Sequence, residues 1–225
     1  MSRTVLVATD GTPAALGALC FAKALADQKD YRIHVLGVVE PVPVFDAGFM
    51  VALPELELYE SRQDALMREI SEQVEEVTQG IGGWSISVQA GVPAPRIVKH
   101  AEELGSEFIL IGLGRHGPMD RVFGTETALQ VIRVSQMPVL AVPESFQNLP
   151  RSAVLGVDFS LFSARAAHAA TALLDPPWDA HLVHVLSGME FLPTVSEDWR
   201  GDYEEDSGFD PSRIRNFSFW WSCLC

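Results

Sequence analysis

Residues 107–143 read EFILIGLGRHGPMDRVFGTETALQVIRVSQMPVLAVP, and this stretch decides the fold. The unbroken apolar run Phe108–Ile111 has the character of a strand buried on both faces, and it stops abruptly at Gly112. Gly114, Gly117 and Gly124 follow in quick succession. Thr125 then heads a helical pattern in which Leu129, Ile132 and Arg133 are spaced along one helix, and Pro138–Val142 forms a second apolar run. Strand, glycine loop, helix, strand is the arrangement in which backbone N–H groups and a helix N-terminus gather an anion, most often a phosphate. Glycine suits such a loop because a Cβ would hold the ligand away and would forbid positive φ. Thr125 occupies the N-cap position, where its hydroxyl serves either to cap the helix or to meet a phosphate oxygen. A plain strand-to-helix turn would carry the same glycines, and on the glycines alone both readings stand.

Upstream, the run Thr4–Thr9 is β-branched and unrelieved by polar residues, which predicts another doubly buried strand. It ends at Asp10-Gly11-Thr12-Pro13, with Thr12 as the expected N-cap and Pro13 in the first turn of a helix running to about Ala26. Cys20 on that helix reads as a small core residue. Ile33–Val39 predicts a second strand, within which His34 reads as a hydrogen-bonded structural histidine. Residues 41–54 are proline-rich and aperiodic, a loop or lid at the strand ends. The pattern Leu66, Ile70, Val74, Val77 then predicts a helix over 55–79 with Glu69, Glu72, Glu75 and Glu76 on its wet side. Trp84–Val88 alternates as an edge strand does, and Gly91-Val92-Pro93 opens a helix over 94–104 that Gly105 ends. The alternation of strands and helices predicts a parallel sheet with crossover helices on both faces.

Composition narrows the function. The chain has 225 residues, is 48% hydrophobic and carries a net charge of −14. That charge excludes nucleic acid and anionic membrane as partners, since phosphate contacts need clustered Lys and Arg. No run approaches the roughly 20 apolar residues of a membrane span. The opening MSRTVLVATDG enters a strand at once, without the regions of a signal peptide. Cys20, Cys223 and Cys225 offer neither a disulfide framework nor zinc spacing, so a reducing cytoplasm is the expected location.

Gly114-x9-Gly124-Thr125 resembles the second half of the signature G-x-x-G-x9-G-[ST] of the universal stress protein family. The first half departs from it: one residue, Leu113, separates Gly112 from Gly114 where the family has two. VLVATDGTP is similar to the family's first strand and aspartate turn. HVLGVVEP is similar to its second strand, and GVPAPRIVKHAEELGSEFILIG to its helix and fourth strand. The likeness spans about residues 3–143. It implies an α/β, doubly wound, Rossmann-like fold: a parallel five-stranded sheet of order 3-2-1-4-5 with a crevice where the first and fourth strands diverge. It further implies ATP with Mg2+ as cofactor. Thr9, Asp10 and the backbone at Val38 would meet adenine, Gly112 and Gly114 the ribose and first phosphate, and Gly117, Gly124 and Thr125 the outer phosphates. Arg115 and His116 read as loop residues that could add charge.

The remaining chain repeats the opening. Ser152–Ser160 has the form of the first strand and its aspartate turn, an alanine-rich helix follows, and His181–Leu186 predicts another strand. The expected organisation is a universal stress protein domain over 1–147, a partial second copy over 152–188, and an acidic, disordered tail over 189–225 ending in the aromatic NFSFWWSCLC. His168, His181 and His184 read as packing or surface residues rather than metal ligands.

The function expected is an ATP-binding regulatory module of the stress response, not a turnover enzyme. The P-loop pattern is absent, no residue offers itself as a catalytic base, and Asp120 reads as a solvated turn residue. Slow ATP hydrolysis would be incidental. The alternative is a dimeric stress protein that binds no nucleotide and works through protein contacts. In either case Pro138–Val142 is expected to be an uncharged edge strand that pairs with a second copy in a homodimer.

Overall fold

The computed structural model of the chain describes residues 3–40, 53–80, 83–113, 124–174 and 176–184. The chain divides into two units, one through Leu149 and one from Pro150.

In the first unit, the order is β1 (Arg3–Thr9), a short 3-10 turn (Pro13–Ala15), α1 (Leu16–Lys29), β2 (Tyr31–Val39), α2 (Leu53–Thr78), β3 (Ser85–Ala90), α3 (Pro93–Leu104), β4 (Phe108–Leu113), α4 (Gly124–Val134) and β5 (Val139–Pro143). The sheet is parallel, as the alternation of strands and helices predicts, and its order is β3-β2-β1-β4-β5, as the resemblance implies. Residue alternation divides the strands between two helical layers. Leu6, Ala8, Leu36, Ile109, Ile111, Val139 and Ala141 pack with Ala94, Ile97, Val98 and Ala101 of α3 and Ala128, Val131 and Ile132 of α4. Val5, Val7, Ile33, Val35 and Leu110 alternate with them and are equally buried, as are Leu19, Phe21 and Leu25 of α1 and Ile70 of α2. Each fully buried Leu, Ile or Phe contributes about 1.5–3 kcal/mol, so these two apolar layers dominate the unit's stability.

One local expectation shifts. Cys20 is half-buried on the flank of α1 rather than in its core, and burial, with Glu76 second, pushes its thiol up. On α4, Ala128, Val131 and Ile132 form the buried stripe and Leu129 faces outward.

The second unit has β6 (Ser152–Gly156), α5 (Leu161–Leu173) and β7 (Asp179–Val183), with β6 and β7 parallel. Its turn repeats that of β1 in geometry. Asp158 Oδ1 accepts the N–H of Ser160 at 2.9 Å, as Asp10 Oδ1 accepts that of Thr12 at 3.0 Å. Phe159 sits at φ +60°, where Gly11 has φ +78°. Ser160 caps α5 by accepting the N–H of Ser163, and the bonds from Ser160 hold the Asp158 carboxyl down to about 2. The lid expected over residues 41–54 falls almost wholly outside the described residues, and the acidic tail expected over 189–225 falls wholly outside them.

Candidate functional site

The parallel register brings the carboxyl ends of β2, β1 and β4 side by side. Thr9 pairs with Gly37 of β2, and Ala8 pairs with Ile111 of β4, one residue before Gly112. The connections after β1 and β4 lead into helices on opposite faces, which opens a crevice between them at the sheet's topological switch point. Thr9, Asp10, Val38 and Gly112 are therefore gathered at one end of the sheet. Gly114 and Gly117 lie outside the described residues, as do Arg115, His116 and Asp120. Gly124 and Thr125 form the first residues of α4.

The turn after β1 is tied together from within. The buried Thr9 hydroxyl accepts the N–H of Gly11 at 3.1 Å, and Asp10 Oδ1 accepts both the N–H and the hydroxyl of Thr12, at 3.0 and 2.6 Å. Gly11 needs its positive φ for this, and a Cβ there would also fall 2.8 Å from Glu69 Oε2 of α2. The hydroxyl of Thr12 does not cap the following helix as expected. Pro13 has no N–H to offer, and the N–H of Ala15 is taken by the Thr12 carbonyl at 3.0 Å, so the hydroxyl turns to the Asp10 carboxylate instead. Asp10 remains exposed and its Oδ2 carries no hydrogen bond among the described residues, leaving it able to accept one from a ligand.

Gly112 is a glycine for a reason the sequence reading did not give. A Cβ on it would collide with the carbonyl oxygen of Ala14 and would lie 2.7 Å from Ala15 Cα. The 3-10 turn that follows Asp10 packs directly on the end of β4, and only glycine permits that approach. Val38 is half-buried in the layer under α3 and α4, and it pairs with Gln89 of β3.

The sequence reading missed Gln73. From α2 its Nε2 donates to the carbonyl of Gly11 at 2.6 Å and to that of Thr12 at 3.3 Å. The signal was present, because Gln73 stands seven residues after Leu66, a polar side chain where the buried stripe of α2 repeats. Among the described residues no group of three or more His, Cys, Asp or Glu is placed to hold a metal ion. No described helix is long and apolar enough to cross a membrane.

Residues 1–143 match the model of the universal stress protein family. The chain belongs to that family. A universal stress protein of Methanocaldococcus jannaschii is similar to it, with 26% identity over 144 residues, 62% of this chain and 81% of that protein. Among solved structures, a universal stress protein from Archaeoglobus fulgidus is similar in fold, with a TM-score of 0.63 at 18% identity, over 84% of this chain and 70% of that one. A universal stress protein solved in complex with cAMP matches 64% of this chain and 98% of its own, with a TM-score of 0.46 and 21% identity. The sheet order and the alternating helices match the fold of these universal stress proteins.

Proposed function

We propose that residues 1–143 bind an adenine nucleotide, ATP with Mg2+, in the crevice between β1 and β4, and that the chain works as a regulatory module rather than by turnover. The observation that carries this reading is the pre-formed Asp10 turn, with a free carboxylate oxygen, beside the end of β4, the strand whose connection runs to the N-terminus of α4. A carboxylate acceptor suits the donor groups of a base, and a helix N-terminus suits phosphate. In this reading Thr9, Asp10 and the Val38 backbone meet adenine, Gly112 and Gly114 the ribose and first phosphate, and Gly117, Gly124 and Thr125 the outer phosphates. Mg2+ would arrive with the triphosphate and neutralise part of its charge. Nucleotide extracted from the purified, denatured protein and identified by mass tests this: adenine nucleotide in near-stoichiometric amount supports it, and protein free of nucleotide that also fails to take any up argues against it.

The second reading, a dimeric family member that acts through protein contacts without nucleotide, is favoured by one observation. Gly112 is accounted for by its packing against Ala14 and Ala15, with no ligand required, and the spacing Gly112-Leu113-Gly114 departs from the family signature. In both readings we place the protein in the cytoplasm and assign it a homodimer across Pro138–Val142. That strand is terminal in the described sheet, the place from which a second copy's strand would extend it. Val139–Val142 are buried within the chain, so pairing there requires the strand to be uncovered first. Light scattering at high protein concentration decides the dimer: twice the chain mass supports it, the monomer mass opposes it.

The second unit we read as a partial copy of the domain, over 152–188, followed by an acidic tail over 189–225. Its repeated aspartate turn, positive-φ residue and parallel strand pair support this. So does the likeness to the Archaeoglobus fulgidus protein, which at 84% of the chain extends beyond the first unit.

A further inference from the structure

We infer that Gln73 is a positioning residue for the Asp10 turn and that, through it, α2 sets which base the crevice prefers. The inference rests on the reading of the crevice as an adenine-nucleotide site and goes beyond it to a residue outside the glycine signature.

The bonds within residues 9–12 give the turn its shape but do not attach it to the rest of the fold. Thr9 binds Gly11, and Asp10 binds Thr12. The packing of Ala14 and Ala15 on Gly112 anchors the chain just after the turn, and Gln73 supplies the hydrogen bonds that tie residues 11 and 12 themselves to α2. The left-handed Gly11 presents its carbonyl to α2, and one amide group holds that carbonyl at 2.6 Å and the next, Thr12, at 3.3 Å. The amide can sit in only one orientation, because the flipped form would press Oε1 against two carbonyl oxygens.

That orientation has a consequence for Gln73 itself. Its Oε1 is buried and has no hydrogen-bond partner among the described residues. A buried acceptor left unpaired opposes folding. A leucine here would repeat Leu66 along the same stripe without that penalty. The carbonyls of Gly11 and Thr12 lie in a half-exposed to exposed turn and could turn to water. Glutamine at 73 is therefore not the side chain that packing alone favours. Its effect is to fix the direction of a turn whose middle carries an exposed carboxylate.

A fixed carboxylate discriminates between bases. Adenine offers an amine donor at the position where guanine offers a carbonyl oxygen. Asp10 held in place accepts from the first and repels the second; Asp10 on a turn free to swing does neither well.

The test uses the full chain as wild type and as Gln73→Leu and Gln73→Glu, titrated with ATP and with GTP. Wild type is expected to prefer ATP. In Gln73→Leu, ATP binding weakens about five- to tenfold, the equivalent of one to two lost hydrogen bonds, while GTP binding holds. Gln73→Glu has the same shape but only acceptors, so it pushes the two carbonyls away and loses at least as much ATP preference. Gln73→Leu unfolds at or above the wild-type temperature, because it also removes the unpaired Oε1. Equal weakening of ATP and GTP together with a lowered unfolding temperature would assign Gln73 a structural role only and overturn the inference. A wild type that binds both nucleotides without preference overturns it as well. A wild type that binds neither removes the nucleotide reading itself, a failure visible before any variant is made, and the inference goes with it.

Discussion

His34 on β2 and His100 on α3 face each other with their Nε2 atoms 3.0 Å apart, a separation that holds one proton and has no room for two. The neighbours fix where that proton lies. Gln89 Nε2 donates to His100 Nδ1 at 3.0 Å, so His100 donates from Nε2 to His34, and His34 donates from Nδ1 to Ser85 Oγ at 2.6 Å. Ser87 Oγ lies 2.9 Å from His34 Nε2, and Glu103 Oε2 lies 3.7 Å from His100 Nδ1. The chain of hydrogen bonds joins β2, the edge strand β3 and α3.

Burial first, and His100 second, push the His34 pKa below its ordinary value of 6.5. The unfolded chain then takes up a proton that the folded chain resists. The stability linked to His34 is fully present above pH 6.5 and is lost as pH falls from there through the lowered folded value. Thermal unfolding followed across this range should show a fall that His34→Gln flattens. Equal slopes in the two proteins would mean that the pair carries no such linkage.

Gly112→Ala separates the packing of this glycine from any contact with ligand. Its Cβ has to displace the backbone of Ala14 and Ala15, not a flexible side chain. The variant should therefore lose about 1–3 kcal/mol without any nucleotide present, as overpacked sites do. Denaturant unfolding of the ligand-free protein measures this. Unchanged stability would return Gly112 to a purely ligand-facing role.

At the opposite end of the sheet, Arg3, Tyr31 and Glu107 form a clamp. Arg3 Nε lies 3.1 and 3.0 Å from the two Glu107 oxygens, Tyr31 donates to Glu107 Oε2 at 3.2 Å, and the guanidinium carbon sits 4.2 Å from the Tyr31 ring centroid. Both members of the ion pair are about two-fifths exposed, so solvent weakens it, and Glu107→Gln should cost only about 0.5–1 kcal/mol. The sharper readout is Tyr31, whose phenol burial first, and Glu107 second, push far up. An ultraviolet pH titration should bring Tyr31 partway back in Glu107→Gln. No movement would show that burial alone sets it.

Phe159 occupies a left-handed backbone position that the matching residue of the first unit fills with glycine. A bulky side chain is strained there. Phe159→Gly in the full chain should slow hydrogen exchange of the β6 and β7 amides, by the equivalent of about 0.5–1 kcal/mol. Faster exchange would mean that the exposed ring contributes more through its contact with His184, at 4.8 Å, than the strain removes.

The strands were legible because buried parallel strands are continuous apolar runs, as in Thr4–Thr9 and Phe108–Ile111, whereas their order in the sheet came from the resemblance to the universal stress proteins. The aspartate turn was legible as a turn but not in its wiring. Whether the Thr12 hydroxyl caps a helix or meets Asp10 depends on which N–H groups the 3-10 turn has already used. Gly112 showed only that a Cβ was unwelcome; the neighbour that forbids it, Ala14, lies almost a hundred residues away in the chain. His34 was legible as hydrogen-bonded, yet its partner His100 sits on a helix three elements further on. Local pattern gives the elements, while contacts between distant residues decide what each polar side chain does.

Calorimetric titration of ATP with Mg2+ into the full chain decides whether the crevice between β1 and β4 holds ATP. Saturable binding at one site per chain is expected, abolished by Gly124→Val at the head of α4 and unchanged by Glu75→Ala on the exposed side of α2. The absence of binding heat with wild type at about 1 mM nucleotide would contradict it and leave the reading through protein contacts in its place.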